Sequence, residues 1–253
     1  MLTDKIGEES VNSFGSKMIC FKYRNNVDID VYFPEYKWVY KHATYNNFKK
    51  GSIRCPYEPR VCGKGYIGEG PYKKFVDGEI TKCYRTWSGM INRCYNNNQS
   101  HDNPSYVGCS VCDEWLNYQN FSNWFDLNYY ECGNELMSLD KDILCKNNKI
   151  YGPDTCIFVP IRINTLFTKR YNDRGETPIG TTIYGHNNKI RVYCNNKEGK
   201  RVNIGVYYST IDAFEAYKEF KESVIKEIAD EYKGIIPNKL YEAMHNYEVN
   251  IYD

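Results

Sequence analysis

Two carboxylates flank an ammonium at Asp140-Lys141-Asp142, and an amide follows downstream at Asn164. If the stretch is extended, Asp140 and Asp142 share one face, because side chains alternate along a strand. Such a pair can hold a cation or activate a water. Lys141 cannot accept a proton at neutral pH unless burial depresses its pKa strongly, since an ordinary lysine titrates near about 10.4. The plain alternative is a solvated turn followed by a helix-surface amide. Cys109-Ser110-Val111-Cys112 has the two-residue gap of a zinc knuckle, with Cys55 and Cys62 as further thiols. A zinc signature needs a second such pair, which the chain lacks, and Cys112 reads as readily as core filler. The four histidines, His42, His101, His186 and His245, are scattered, and only His101 falls near this stretch, on a polar loop.

The 253 residues carry 33 Lys and Arg against 32 Asp and Glu, a net charge of +1, so the chain is not globally basic. A nucleic-acid binder of this composition must segregate its charge by region. Lys49, Lys50, Arg54 and Arg60 cluster early and Lys169, Arg170 and Arg174 later, while acids gather between Glu215 and Glu231. The 25 tyrosines suit small domains that bury a ring and present a polar tip, although AT-rich coding gives the same bias. The cysteines number 11, and the opening Leu2 to Glu9 is too polar for a signal peptide. Both features predict a reducing cytosol, with free thiols or a metal site rather than disulfides. No apolar run reaches membrane-spanning length, so no membrane partner is expected.

An α+β chain of three modules is expected to position these groups. Residues 1–65 read as a small β module. Lys17 to Tyr23, Val27 to Phe33 and Trp38 to Tyr40 form strands, then Thr44 to Gly51 a helical turn closed by glycine. Residues 66–81, rich in Gly, Lys and Pro, read as a linker. Residues 82–174 form a central module: a helix over Cys83 to Tyr95, a polar loop over Asn96 to Tyr106, and a second helix over Cys112 to Phe125. A break spans Asn172 to Pro178. Residues 175–235 then carry strands at Thr181 to Tyr184, Lys189 to Cys194 and Arg201 to Tyr208. Thr210 caps a long helix with Ala213, Phe214, Ala216, Tyr217 and Phe220 as its apolar stripe. Residues 236–253 read as a tail.

Four segments, in order and spacing, carry a resemblance. They are Tyr84-Arg85-Thr86-Trp87-Ser88-Gly89-Met90-Ile91-Asn92-Arg93-Cys94-Tyr95, Val107-Gly108-Cys109-Ser110-Val111-Cys112-Asp113-Glu114-Trp115, Leu139-Asp140-Lys141-Asp142-Ile143, and Tyr151-Gly152-Pro153-Asp154-Thr155-Cys156. With Asn164 behind them, they resemble the HNH endonucleases carried by bacteriophages and mobile elements. That resemblance implies a ββα-metal finger in which Asp140 and Asn164 hold one Mg²⁺ or Mn²⁺. Lys141 stands where an active member has its general-base His and many phage relatives have Arg, so Asp142 would have to supply the base. The family's loop-bracing Asn corresponds to Thr155. The three strands and helix, with Ile204-Gly205-Val206-Tyr207 and Asp212-Ala213-Phe214-Glu215-Ala216-Tyr217, resemble the DNA-binding domain of plant ethylene-response factors. That domain lays its sheet in the major groove, which implies DNA contacts from Tyr184, Lys189, Arg191, Tyr193 and Arg201. Lys49, Lys50 and Arg54 form a second basic arm.

The expectation is a phage-type protein of the bacterial host cytoplasm that binds double-stranded DNA, with strand nicking by a degenerate HNH site, if retained, slow and metal-dependent. Two alternatives stay open. One is a non-catalytic phage protein, a regulator or an inhibitor of a host defence system, that reuses the scaffold. The other is a nicking homing endonuclease with a rearranged metal site.

Overall fold

Alternating apolar residues build the first sheet. In the computed structural model, which describes residues 5–96, 106–168, 177–185 and 189–252, β1 (Glu9–Val11), β2 (Lys17–Asn25), β3 (Asp28–Phe33) and β4 (Trp38–Ala43) form an antiparallel meander. Its core is Met18, Cys20, Ile29, Val31 and Phe33, closed by Phe48 of α1 (Tyr45–Lys49). Thr44 caps α1, its Oγ1 accepting the Asn47 N–H at 3.1 Å. Gly51 follows at φ +67°, where an added Cβ would lie 2.7 Å from the Val11 carbonyl oxygen, so only glycine fits this turn. The three-residue β1 carries too little periodicity to be expected from sequence.

Two units emerge from the contacts: residues 1–127 with 149–152, and residues 128–148 with 153–253. The first unit continues through residues 66–81, which are not a free tether. The Gln119 amide donates to the carbonyls of Ile67 and Tyr72 and accepts the Tyr72 N–H, and the segment includes a short hairpin, β5 (Phe75–Val76) with β6 (Glu79–Ile80). α2 (Lys82–Tyr95) then buries Tyr84, Trp87, Met90 and Ile91. The helix expected from Cys112 to Phe125 is two, α3 (Asp113–Leu116) and α4 (Tyr118–Asn128). Asn117 breaks it: its backbone is extended and its Oδ1 accepts the Gln119 N–H at 3.0 Å, a local bond that competes with helix. Trp87 Nε1 donates to the Trp115 carbonyl at 2.7 Å, and the Trp115 and Trp124 rings lie 4.6 Å apart, so the aromatic residues of this stretch are core. β7 (Ser110–Val111) pairs in parallel with β9 (Ile150–Tyr151), which brings residues 149–152 into this unit.

The second unit begins with β8 (Met137–Asp140) and β10 (Ile157–Pro160), antiparallel with Asp140 opposite Ile157, followed by α5 (Ile161–Leu166). Two strands and a helix make a ββα finger. β11 (Thr181–Tyr184), β12 (Lys189–Asn195) and β13 (Arg201–Tyr207) form a separate antiparallel sheet. α6 (Thr210–Glu231) starts one residue earlier than expected, so its cap is Ser209, whose Oγ accepts the Asp212 N–H at 3.3 Å. Its N-terminal half packs Ala213, Phe214 and Tyr217 on the sheet. Its C-terminal half packs Val224, Ile225, Ile228 and Ala229 against Ile157, Val159 and Ile163 of the finger. The expected boundary near residue 174 therefore does not separate two cores. The stretch 236–253 is more than a tail: α7 (Asn238–His245) buries Leu240 and Met244 in the finger core. His101, His186, Lys169, Arg170, Arg174, most of the loop over Asn96 to Tyr106 and most of the break over Asn172 to Pro178 lie outside the described residues.

Candidate functional site

Strand alternation sorts β12 into two faces. Ile190, Val192 and Cys194 are buried against α6, so Lys189, Arg191, Tyr193 and Asn195 face away from it. Register adds neighbours on that outward face: Thr182 and Val206 flank Arg191, Asn203 lies opposite Tyr193, Arg201 opposite Asn195, and Tyr184 opposite Lys189. The Arg191 guanidinium carbon sits 3.3 Å from the Tyr184 ring centroid, and its Nη1 donates to the Tyr193 hydroxyl at 3.0 Å. Its Nε is covered and makes no hydrogen bond, a cost tolerated to keep the guanidinium flat on the sheet. Arg201 lies 4.0 Å over the other aromatic, Tyr193. Lys189 Nζ is 5.3 Å from the Tyr208 ring. No Asp or Glu occurs in any of the three strands, whereas α6 holds seven acids against three lysines. The unit thus segregates positive charge onto one sheet face, which the net charge hides. Tyr184, Lys189, Arg191, Tyr193 and Arg201 all stand on it. Thr182, Asn195 and Asn203 join them unforeseen, since only the strand register reveals their neighbours.

Asp140 ends β8, and residues 141–145 are bends, so Asp142 is not on a strand as alternation had it. The two carboxylates meet through a turn instead. Asp140 Oδ1 accepts the N–H of Asp142 at 2.9 Å and of Ile143 at 2.7 Å. Burial, and then the Asp142 charge, push the Asp140 carboxyl up to about 6. Lys141 is buried at 6% exposure, and its Nζ lies 3.1 Å from Asp142 Oδ2, so its ammonium serves an ion pair. Asn148 Nδ2 donates to the Lys141 carbonyl at 2.7 Å and so ties the two ends of the loop. Thr155, at the position of the family's bracing Asn, has its Oγ1 4.0 Å from Cys156 Sγ. Asn164 is half-buried on α5, which packs on β8, and its side-chain amide makes no hydrogen bond to a described residue. The finger therefore brings two hard carboxylates together, Asp140 and Asp142, the oxygen donors that Mg²⁺ or Mn²⁺ prefers.

Other candidates fare differently. Lys49 Nζ is paired with Glu8 at 2.7 Å, while Lys50 and Arg54 are exposed and make no ion pair among the described residues. Cys62 Sγ meets Asn92 Oδ1 at 3.1 Å, burial pushes the Cys55 thiol up to about 11 and also raises Cys112, and Cys109 is buried. Among the described residues, no cysteine belongs to a cluster of three ligand-type side chains. The cluster that does converge is Asp28, Asp30 and His42, with ligand atoms within 4.8 Å. Its charge is already met: Arg24 pairs with Asp28 and Asp30, each at 2.8 Å, and holds Asp30 down to about 2. His245 pairs with Asp230 at 3.0 Å on the surface of the second unit. No helix among the described residues is long and apolar enough to cross a membrane. No protein-family model, no curated protein and no solved structure matches the chain.

Proposed function

We propose that this chain binds double-stranded DNA through the outward face of β11, β12 and β13. The observation that carries this is an acid-free sheet face on which Arg191 and Arg201 are held flat by Tyr184 and Tyr193. Cations neutralise phosphates and release counterions, and a two- or three-stranded surface fits the major groove. Arg201 and Lys189 suit phosphates at the rim, and the first unit carries exposed basic residues of its own at Lys50 and Arg54. The test is fluorescence anisotropy with labelled duplexes. Affinity should fall at least about tenfold between roughly 50 and 200 mM salt, and Arg191→Ala with Arg201→Ala should remove most of it. Binding that ignores salt and both substitutions would overturn the proposal.

A second reading rests on Asp140 beside Asp142. The ββα finger resembles the HNH type, and Asp140 with Asn164 would hold Mg²⁺ or Mn²⁺. The bound ion supplies charge stabilisation at a scissile phosphate. Asp140 binds, Asn148 keeps the loop closed and Asp142 stands nearest to act as base. Lys141 is committed to its ion pair, so nicking is slow, and the scaffold also suits a non-catalytic phage regulator or defence inhibitor. Incubation of supercoiled plasmid with each metal, comparing Asp140→Ala, decides between them: nicking lost in the variant supports the enzyme. Absent nicking with intact duplex binding leaves the non-catalytic role.

A further inference from the structure

β13 reaches the outward face of the sheet by an irregular route. Val192 pairs with Gly205, but the next residue, Tyr193, pairs with Asn203, so Ile204 is an extra residue on β13. In a regular ladder Tyr193 would face Ile204, and Asn203 would lie opposite Cys194 on the α6 side. The bulge reverses this parity. Ile204 turns toward the core with Ile190 and Val192, and Asn203 stands exposed beside Tyr193. Its carboxamide makes no hydrogen bond to any described residue, so a donor and an acceptor are presented together to solvent.

One diagonal step away, Arg191 is held in place. Its guanidinium is stacked on Tyr184 at 3.3 Å and tied to Tyr193 at 3.0 Å, and no described carboxylate pairs with it. A side chain immobilised before binding loses little entropy on contact. Diagonal positions across an antiparallel pair lie about 7–8 Å apart, roughly two base-pair rises of about 3.4 Å each.

We propose that Asn203 and Arg191 are the base-reading pair of this face: Asn203 takes an adenine through N6 and N7, and Arg191 takes a guanine through O6 and N7. The preferred ligand is a duplex with these two purines about two steps apart. The inference rests on duplex binding by the sheet, and it assigns the sequence preference to Asn203, an uncharged side chain that salt-dependent affinity does not require, together with Arg191, which serves both. Arg201, an exposed cation at the start of β13, serves phosphate and carries no sequence information.

The experiment uses the full chain. A pool of random duplexes is selected for binding, and the winning site is titrated against the unaltered protein, Asn203→Ala, Arg191→Ala and Arg201→Ala. A parallel arm replaces the selected adenine by 7-deazaadenine, which removes N7 without touching the protein. Asn203→Ala should cost about tenfold on the preferred site, and nothing on a site whose adenine is already changed. The 7-deaza site should weaken by a similar factor for the unaltered protein only. Arg201→Ala should weaken every site alike. Failure of the unaltered chain to bind any duplex overturns the DNA-binding function itself. Binding without sequence preference, or adenine discrimination that survives Asn203→Ala, leaves that function standing and overturns the base-reading pair.

Discussion

Asn148 Nδ2 donates to the carbonyl oxygen of Lys141 at 2.7 Å, closing the loop that follows Asp140 with a side chain seven residues on. Removing that donor takes a hydrogen bond from a partly buried acceptor. Asn148→Ala should therefore lower unfolding free energy by about 1 kcal/mol in urea titration. Limited proteolysis should cut within residues 141–148 faster than in the unaltered protein. An unchanged cleavage rate would mean that the loop is held by other bonds.

Asp140 lies above the ordinary carboxylate range, at about 6, because it is buried and faces Asp142. Its protonated form is favoured by folding. The stability it contributes is full below the unfolded pKa near about 4 and is lost as pH rises through 6. Asp140→Asn should therefore stabilise the protein at pH 8 by on the order of 1–2 kcal/mol and leave pH 4 almost unchanged. Mg²⁺ or Mn²⁺ should raise the melting temperature of the unaltered chain at pH 8 but not that of the variant. Equal metal effects on both would remove Asp140 from the ligand set.

Lys141 is buried and paired with Asp142, so a general base worth about 10²–10⁴-fold in rate is missing from its position. Lys141→His should raise plasmid nicking with Mn²⁺ by at least about tenfold, with Asp140→Ala abolishing the gain. No gain, with no metal bound by calorimetry, would mark the finger as a scaffold.

Arg24 neutralises Asp30, which is 7% exposed. Asp30 is held to about 2, so its contribution is present above the unfolded pKa near about 4 and fades as pH falls through 2. Arg24→Ala should destabilise the protein at pH 7, by less than breaking a fully buried pair because the guanidinium is partly solvated. The cost should shrink at pH 3, read by urea unfolding at both values.

Cys145 alone among the 11 cysteines is exposed. A maleimide should label one thiol quickly in the folded protein, at Cys145, and all 11 after denaturation. Fast labelling at Cys109 or Cys112 would contradict their packing. Slower labelling of Cys145 on adding duplex would place DNA beside the loop of the finger.

α6 changes how the chain can be dissected. Val224, Ile225, Ile228 and Ala229 belong to the core of the finger, although the helix follows the sheet in sequence. A chain cut after residue 175 loses that core as well as the sheet, so loss of function from it says nothing about the sheet alone. Substitutions such as Arg191→Ala, on the exposed face, separate the two.

Local chemistry determined most of the elements. Period-two alternation over Lys17 to Phe33 and over Lys189 to Tyr207, the Thr44 cap and the Gly51 turn are all readable from neighbouring residues, because each depends on contacts a few positions away. The outward direction of Arg191 and Tyr193 follows in the same way from the buried Ile190, Val192 and Cys194 between them. Tertiary structure decided the rest. The bulge at Ile204 turns Asn203 outward, and no rule of alternation contains it, because an extra residue appears only when two strands are paired. The Asp140–Asp142 contact comes from a turn rather than a strand, and the Asn148 bond to the Lys141 carbonyl was not readable in advance, because a side-chain hydrogen bond to a backbone carbonyl depends on loop shape. The second stripe of α6 finds its partners in β10, α5 and α7, far apart in sequence, since apolar burial is non-directional and settles on whichever surfaces the chain brings together.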